Sequence, residues 1–133
     1  MNHLIIKKTV KNIFKNFNLN NKHAAISAEY LIKAELVGAP SHGLARLKMY
    51  CERIKKKVIN PKPKIKLKKI SQSISHIDAD NSIGFVAAQI GIEKAINSAK
   101  KTGIGFALRS SSAFITVDLR GAELRRPMDE MSP

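Results

Sequence analysis

Ser73 to Leu108 reads SISHIDADNSIGFVAAQIGIEKAINSAKKTGIGFAL, and the order of patterns inside it decides the fold. Ser73 to Asp78 is a short run suited to a strand, with His76 as a strand surface residue. Asp80-Asn81-Ser82 then makes a turn. From about Ile83 to Lys101 the apolar residues Phe85, Ala88, Ile92, Ala95, Ile96 and Ala99 fall on one helical stripe, which Gly103 closes as a C-terminal cap. Ile104 to Leu108 is apolar and short, a strand. Strand, turn, helix, strand is the grammar of an α/β protein.

Toward the N-terminus the chain changes character at Asn60-Pro61-Lys62-Pro63, which cannot continue a helix and reads as an extended crossing. Lys64 to Lys68 alternates lysine with Ile65 and Leu67, as an edge strand with one wet face does. Before the break the period is helical. Leu4 to Phe17 carries Ile6, Val10, Ile13, Phe14 and Phe17 at helical spacing, and Asn18 to Asn21 ends it. A second helix is expected from about His23 to Val37, with Ala24, Ala28, Leu31 and Ile32 inward, His23 exposed in its first turn and Gly38 as its cap. A third should open near Ser41, its inner stripe Leu44, Leu47, Cys51, Ile54 and Val58. The expected fold is therefore mixed α/β: an N-terminal three-helix cluster packed beside a small strand-helix-strand unit, the whole an incomplete domain. Residues 1–59 would be the helical region and 60–115 the α/β part, which the family resemblance given below makes the start of a cofactor domain. Residues 116–133, with few apolar positions and no period, would be a loosely ordered tail.

Chemistry is expected where the turn Pro40-Ser41-His42-Gly43 runs into Leu44-Ala45-Arg46. With Ser41 as N-cap, the first free N–H groups of the third helix and its dipole would favour an anion. His42 and Arg46, four apart on a helix, would then share a face. Arg46 offers a planar fork for a carboxylate, and His42 is the side chain best poised to trade a proton near neutral pH. Together they suit a 2-hydroxy or 2-keto acid. The serine run Ser110-Ser111-Ser112 at a strand exit is a second place where α/β proteins build ligand sites. No metal site is expected.

Composition narrows the classes further. The chain has 133 residues, enough for one ordinary domain, and a single cysteine, Cys51, which excludes an intramolecular disulfide and a cysteine-based zinc site and suits a reducing cytoplasm. No uncharged run approaches the roughly 18 apolar residues that span a bilayer, so neither export nor membrane insertion is implied. The formal net charge of +14 points toward anionic partners. The lysines, however, are spread over wet faces and accompanied by many Asn and Ile, as an AT-rich coding sequence produces. Trp is absent and aromatic residues are few, so the stacking platform of a single-strand binder is missing. Only weak, non-specific, salt-sensitive nucleic-acid binding is expected. After Lys101 the basic residues switch to arginine: Arg109, Arg120, Arg125 and Arg126.

The chain resembles the opening portion of the malate/L-lactate dehydrogenase family of the second type, non-Rossmann oxidoreductases that include sulfolactate and ureidoglycolate dehydrogenases. The resemblance is carried by Ala34-Glu35-Leu36-Val37-Gly38-Ala39-Pro40-Ser41-His42-Gly43-Leu44-Ala45-Arg46-Leu47, by Tyr50, by Ile59-Asn60-Pro61, by Ile77-Asp78-Ala79-Asp80-Asn81 and by Ala95 through Gly105. It implies an NAD- or NADP-dependent enzyme interconverting a small 2-hydroxy acid and a 2-keto acid, with a homodimer among the assemblies it allows. His42 would be the acid/base, and Ser41 and Arg46 would hold substrate. The family pattern is departed from at Ala113, where a second histidine is expected, and no match is expected from Thr116 onward. The expectation is an N-terminal fragment, inactive by itself in hydride transfer. The competing reading is a basic nucleic-acid-binding or subunit-interaction module without catalysis.

Overall fold

The computed structural model describes residues 2–109 and the strand backbones 114–118 and 123–125. Among the described residues four α-helices, two short 3-10 turns and five strands follow one another in the order α1 (His3–Asn16), α2 (Asn21–Leu36), the turns Pro40–His42 and Leu44–Arg46, α3 (Leu47–Lys55), β1 (Lys66–Lys69), β2 (Ile74–Asp78), α4 (Gly84–Thr102), β3 (Ile104–Arg109), β4 (Phe114–Asp118) and β5 (Glu123–Arg125). Mixed α/β structure is what the sequence pattern calls for. The chain divides into two compact units, residues 1–63 with 81–86, and 64–80 with 87–133.

In the first unit, asparagine side chains start the helices. Asn2 caps α1 by accepting from the N–H groups of Leu4 and Ile5, and Asn20 caps α2 by accepting from His23 N–H at 2.8 Å. Gly38, at φ +78°, supplies the left-handed residue just beyond α2. The helical hairpin buries Val10 and Phe14 from α1 against Ala24, Ala28, Leu31 and Ile32 from α2. Complete burial of Phe14 and Leu31 contributes about 2–3 kcal/mol each. Ser27 is buried among them without cost, because its hydroxyl donates to the His23 carbonyl one turn back. Phe85 belongs to this unit and stacks on Tyr30 at 5.5 Å while meeting Tyr50 edge-on at 5.2 Å, an aromatic trio that no single helix period foretells.

The third helix departs from expectation at both ends. It begins at Leu47, preceded by two 3-10 turns rather than opening at Ser41, and it ends at Lys55. Cys51 and Ile54 are buried and Leu44 and Leu47 half-buried, as the stripe requires, but Val58 is 61% exposed. The reason is Lys57, which takes a left-handed conformation (φ 64°) and swings the chain so that Ile59 fills the inward place.

The second unit is a sheet in the order β1-β2-β3-β4-β5. β2 and β3 run parallel, which obliges a crossover, and α4 is that crossover. All other neighbours are antiparallel. β1 is an edge strand, exposed at every position and carrying Lys66, Lys68 and Lys69; it starts two residues later and ends one later than the alternation suggests. Ile77 and Ala107 form a core with Ala87, Ala95 and Ala99 of α4, with Ile65, Ile92 and Ile96 packed around it. The helix sits very close: a Cβ on Gly105 would collide with the Ala95 carbonyl oxygen and lie 2.8 Å from its carbonyl carbon. Asp80 and Asn81, both left-handed (φ 49° and 55°), make the tight turn out of β2.

β4 and β5 put strand backbone into part of the stretch expected to be loose after Thr116. A strand pair there needs only alternate residues on one face, a period too short to register in so few positions. The expectations for Ser110, Ser111, Ser112 and Ala113, and for Arg120 and Arg126, fall outside the described residues. Among the described residues no helix is long and apolar enough to cross a membrane.

Candidate functional site

The stretch between α2 and α3 is built as two consecutive 3-10 turns hinged at Gly43. Pro40 pre-sets the first turn, whose hydrogen bonds run from His42 N–H to the Ala39 carbonyl (3.0 Å) and from Gly43 N–H to the Pro40 carbonyl (3.2 Å). The second turn is closed by Arg46 N–H on the Gly43 carbonyl (3.0 Å). Ser41 is thus inside a turn and caps nothing; the residue before the turn, Ala39, has no side chain with which to cap. His42 and Arg46 consequently do not share one face of a single α-helix turn, and the expected i, i+4 geometry does not form.

They are brought together by other bonds. The Ser41 hydroxyl lies 3.0 Å from His42 Nδ1, and the Ser41 carbonyl accepts from Arg46 Nε at 2.8 Å. One residue therefore holds the imidazole through its side chain and the guanidinium through its backbone. Ser41 is exposed, and His42 and Arg46 are half-buried, so all three remain open to a ligand. Because Nε of Arg46 is committed, the two Nη groups are left to form the fork a carboxylate needs. A hydroxyl both donates and accepts, so Ser41 can bond either tautomer of His42. It donates to a bare Nδ1 when Nε2 carries the proton, and accepts from Nδ1–H when Nε2 is free to take one. Such an imidazole can work as acid or as base without losing its anchor.

Sequence reasoning missed Glu35. Its carboxylate accepts from Leu44 N–H at 2.8 Å, the first N–H of the second turn. The backbone donor expected to receive a substrate anion is thus held by the protein's own carboxylate, which leaves Arg46 as the candidate for an external one. The signal was present as an acidic residue at the end of a helix, where the dipole disfavours it and a specific partner is needed.

A cleft of about 660 Å³, lined by residues including Asn16, Phe17, Lys55, Lys57 and Ile59, lies elsewhere in the same unit and includes none of Ser41, His42 or Arg46. Among the described residues no group of three His, Cys, Asp or Glu side chains could hold a metal ion. In the turn out of β2 both carboxylates already sit on backbone donors: Asp78 accepts from Asp80 N–H at 3.1 Å and Asp80 accepts from Lys64 N–H at 2.9 Å.

Known proteins share both the sequence and the fold. L-sulfolactate dehydrogenase of Methanocaldococcus jannaschii is 37% identical over 109 residues, 81% of this chain and 32% of the relative. Ureidoglycolate dehydrogenase (NAD(+)) of Escherichia coli strain K12 is 35% identical over 99 residues, 74% and 28% respectively. The solved structure of the Methanocaldococcus jannaschii sulfolactate dehydrogenase superposes with a TM-score of 0.79 at 34% identity, covering 82% of this chain and 32% of that one. Malate dehydrogenase from Pyrococcus horikoshii OT3 does so with a TM-score of 0.75 at 32% identity, covering 78% and 30%. The chain spans about a third of the length of these relatives and matches their N-terminal part. The family model for malate/L-lactate dehydrogenase matches residues 2–117, and the chain belongs to that family.

Proposed function

We propose that the chain carries the acid/base and carboxylate-recognition part of an NAD- or NADP-linked oxidoreductase acting on a small 2-hydroxy or 2-keto acid. The observation that supports it is the double use of Ser41, whose hydroxyl meets His42 Nδ1 and whose carbonyl fixes Arg46 Nε. Oxidising a 2-hydroxy acid removes a hydride from carbon and a proton from the hydroxyl, and the two losses must be coupled because an alkoxide-free alcohol gives up hydride poorly. His42 Nε2 takes that proton, or returns it to the carbonyl oxygen in reduction. Arg46 holds the neighbouring carboxylate with its Nη pair and so fixes which substrate oxygen faces the imidazole. Ser41 acts through His42 as a positioning residue. A bound nicotinamide would supply or accept the hydride, while these residues handle the proton and the carboxylate.

The test is a chimera in which residues 2–109 replace the matched segment of the Methanocaldococcus jannaschii sulfolactate dehydrogenase. His42→Ala should lower kcat by about 10² to 10⁴, the usual contribution of a positioned acid/base. A variant that lost stability but kept kcat per folded molecule would show that His42 is a turn residue only.

A further inference from the structure

We propose that Glu35 is the positioning residue of this site: its carboxylate sets the break between the two 3-10 turns and thereby places Ser41-His42 on one side and Arg46 on the other. The inference rests on the reading of Ser41, His42 and Arg46 just given. Glu35 lies in the last turn of α2, half-buried, and reaches across nine residues to the Leu44 N–H at 2.8 Å. The same carboxylate lies flat against the buried Gly43. A Cβ there would collide with Glu35 Oε1 and come within 2.8 Å of Cδ and 2.9 Å of Cγ. One oxygen of one side chain, Glu35 Oε1, therefore both accepts from the Leu44 N–H and fills the space beside Gly43.

The consequences are geometric. If the Leu44 N–H were not held, the stretch from Ser41 could wind into a continuous α-helix with α3, because a helix pairs each N–H with the carbonyl four residues back. In that helix Arg46 N–H would bond His42 instead of Gly43, and the Arg46 side chain would no longer reach the Ser41 carbonyl. Glu35 thus selects the hinged form, in which one serine serves both the imidazole and the guanidinium. The absence of a side chain at Gly43 is part of the same device, since it leaves the space that the carboxylate fills.

The experiment uses the isotopically labelled chain, with pyruvate as the 2-keto acid probe. Melting temperature, the Leu44 amide, the His42 ring nitrogens and Arg46 Nε are followed in Glu35→Ala, Glu35→Gln, Gly43→Ala and the double variant Glu35→Ala/Gly43→Ala. The expected result is that Glu35→Ala stays folded yet displaces the His42 and Arg46 signals and weakens pyruvate binding by about tenfold, the order of loss that a misplaced contact produces. Glu35→Gln, whose amide oxygen can still accept from Leu44, should restore most of both. Gly43→Ala should disturb the same signals, and much less so once the Glu35 side chain is gone. Unchanged His42 and Arg46 signals in Glu35→Ala, equal harm from Gly43→Ala in both backgrounds, or outright unfolding of Glu35→Ala would overturn the positioning role. A wild-type chain whose His42 and Arg46 signals ignore pyruvate would instead defeat the substrate reading, while the signals in the variants still decide the role of Glu35.

Discussion

The hydroxyl of Ser41 stands 3.0 Å from Nδ1 of its chain neighbour His42, while its carbonyl accepts from Arg46. A contact between adjacent residues costs little entropy to form, so its value lies in orientation rather than in stability. Ser41→Ala should leave the fold intact and lower kcat of the chimeric enzyme by about fivefold, in line with the roughly 1 kcal/mol of a neutral hydrogen bond. Ser41→Thr, which keeps the hydroxyl, should retain most activity. Equal rates for Ser41→Ala and the parent chimera would remove Ser41 from the mechanism.

Arg46→Lys tests the other arm. The ammonium keeps the charge but has neither the Nε that meets the Ser41 carbonyl nor the paired Nη groups. KM for the 2-keto acid should rise by about ten- to a hundredfold with a smaller change in kcat, because the proposed carboxylate contact would be made in ground and transition states alike. A loss confined to kcat would mean that Arg46 acts on the reacting centre itself.

How legible these features were depends on the range of the interaction that makes them. The α2 cap at Gly38, the edge lysines of β1 and the alanine stripe of α4 follow from local period and local charge, and they were readable from the sequence. The start of α3 was not. Pro40, Ser41 and Gly43 fit an α-helix N-terminus equally well, and what selects two 3-10 turns is a side chain nine residues away, Glu35 on Leu44 N–H. Val58 was misplaced for a similar reason: the stripe is continuous in sequence, but the left-handed Lys57 ends the helix before it. Periodicity and residue type point to the stretch from Ser41 to Arg46 as a candidate site; the bond that arranges it is long-range and invisible to periodicity.

Gly105 gives a stability prediction in the sheet unit. Because Ala95 backbone occupies the place of its absent Cβ, Gly105→Ala must push α4 away from β3 or distort the strand. The expected cost is about 1–3 kcal/mol, the range for overpacking a close-packed contact, read as a lower urea midpoint at unchanged slope. A neutral outcome would show that helix and strand are less closely apposed.

Cys51 should be a poor nucleophile in the folded chain. Only 8% exposed, it has its thiol pushed up from its ordinary value by burial, and the thiolate is the reactive form. Reaction with a disulfide reagent at neutral pH should run at least about tenfold slower than in denaturant. Rapid labelling without denaturant would place Cys51 at the surface.

His23 sets a pH dependence whose sign can be worked out. Burial, and after it the Lys22 cation beside it, lowers its proton affinity below the ordinary value of 6.5, in a ring half-buried in the first turn of α2 rather than exposed as the sequence suggested. Between the folded and unfolded values the unfolded chain binds the proton and the folded chain does not, so acidification favours unfolding. The contribution of a neutral His23 is therefore fully present above 6.5 and is lost as pH falls through the lower, folded value. The melting temperature should fall as pH is taken from about 7.5 to about 5, and His23→Gln, which cannot titrate, should fall less steeply over that window. Identical slopes for the two proteins would mean that His23 takes up its proton as readily in the folded chain as in the unfolded one, and that the acid sensitivity belongs to other groups.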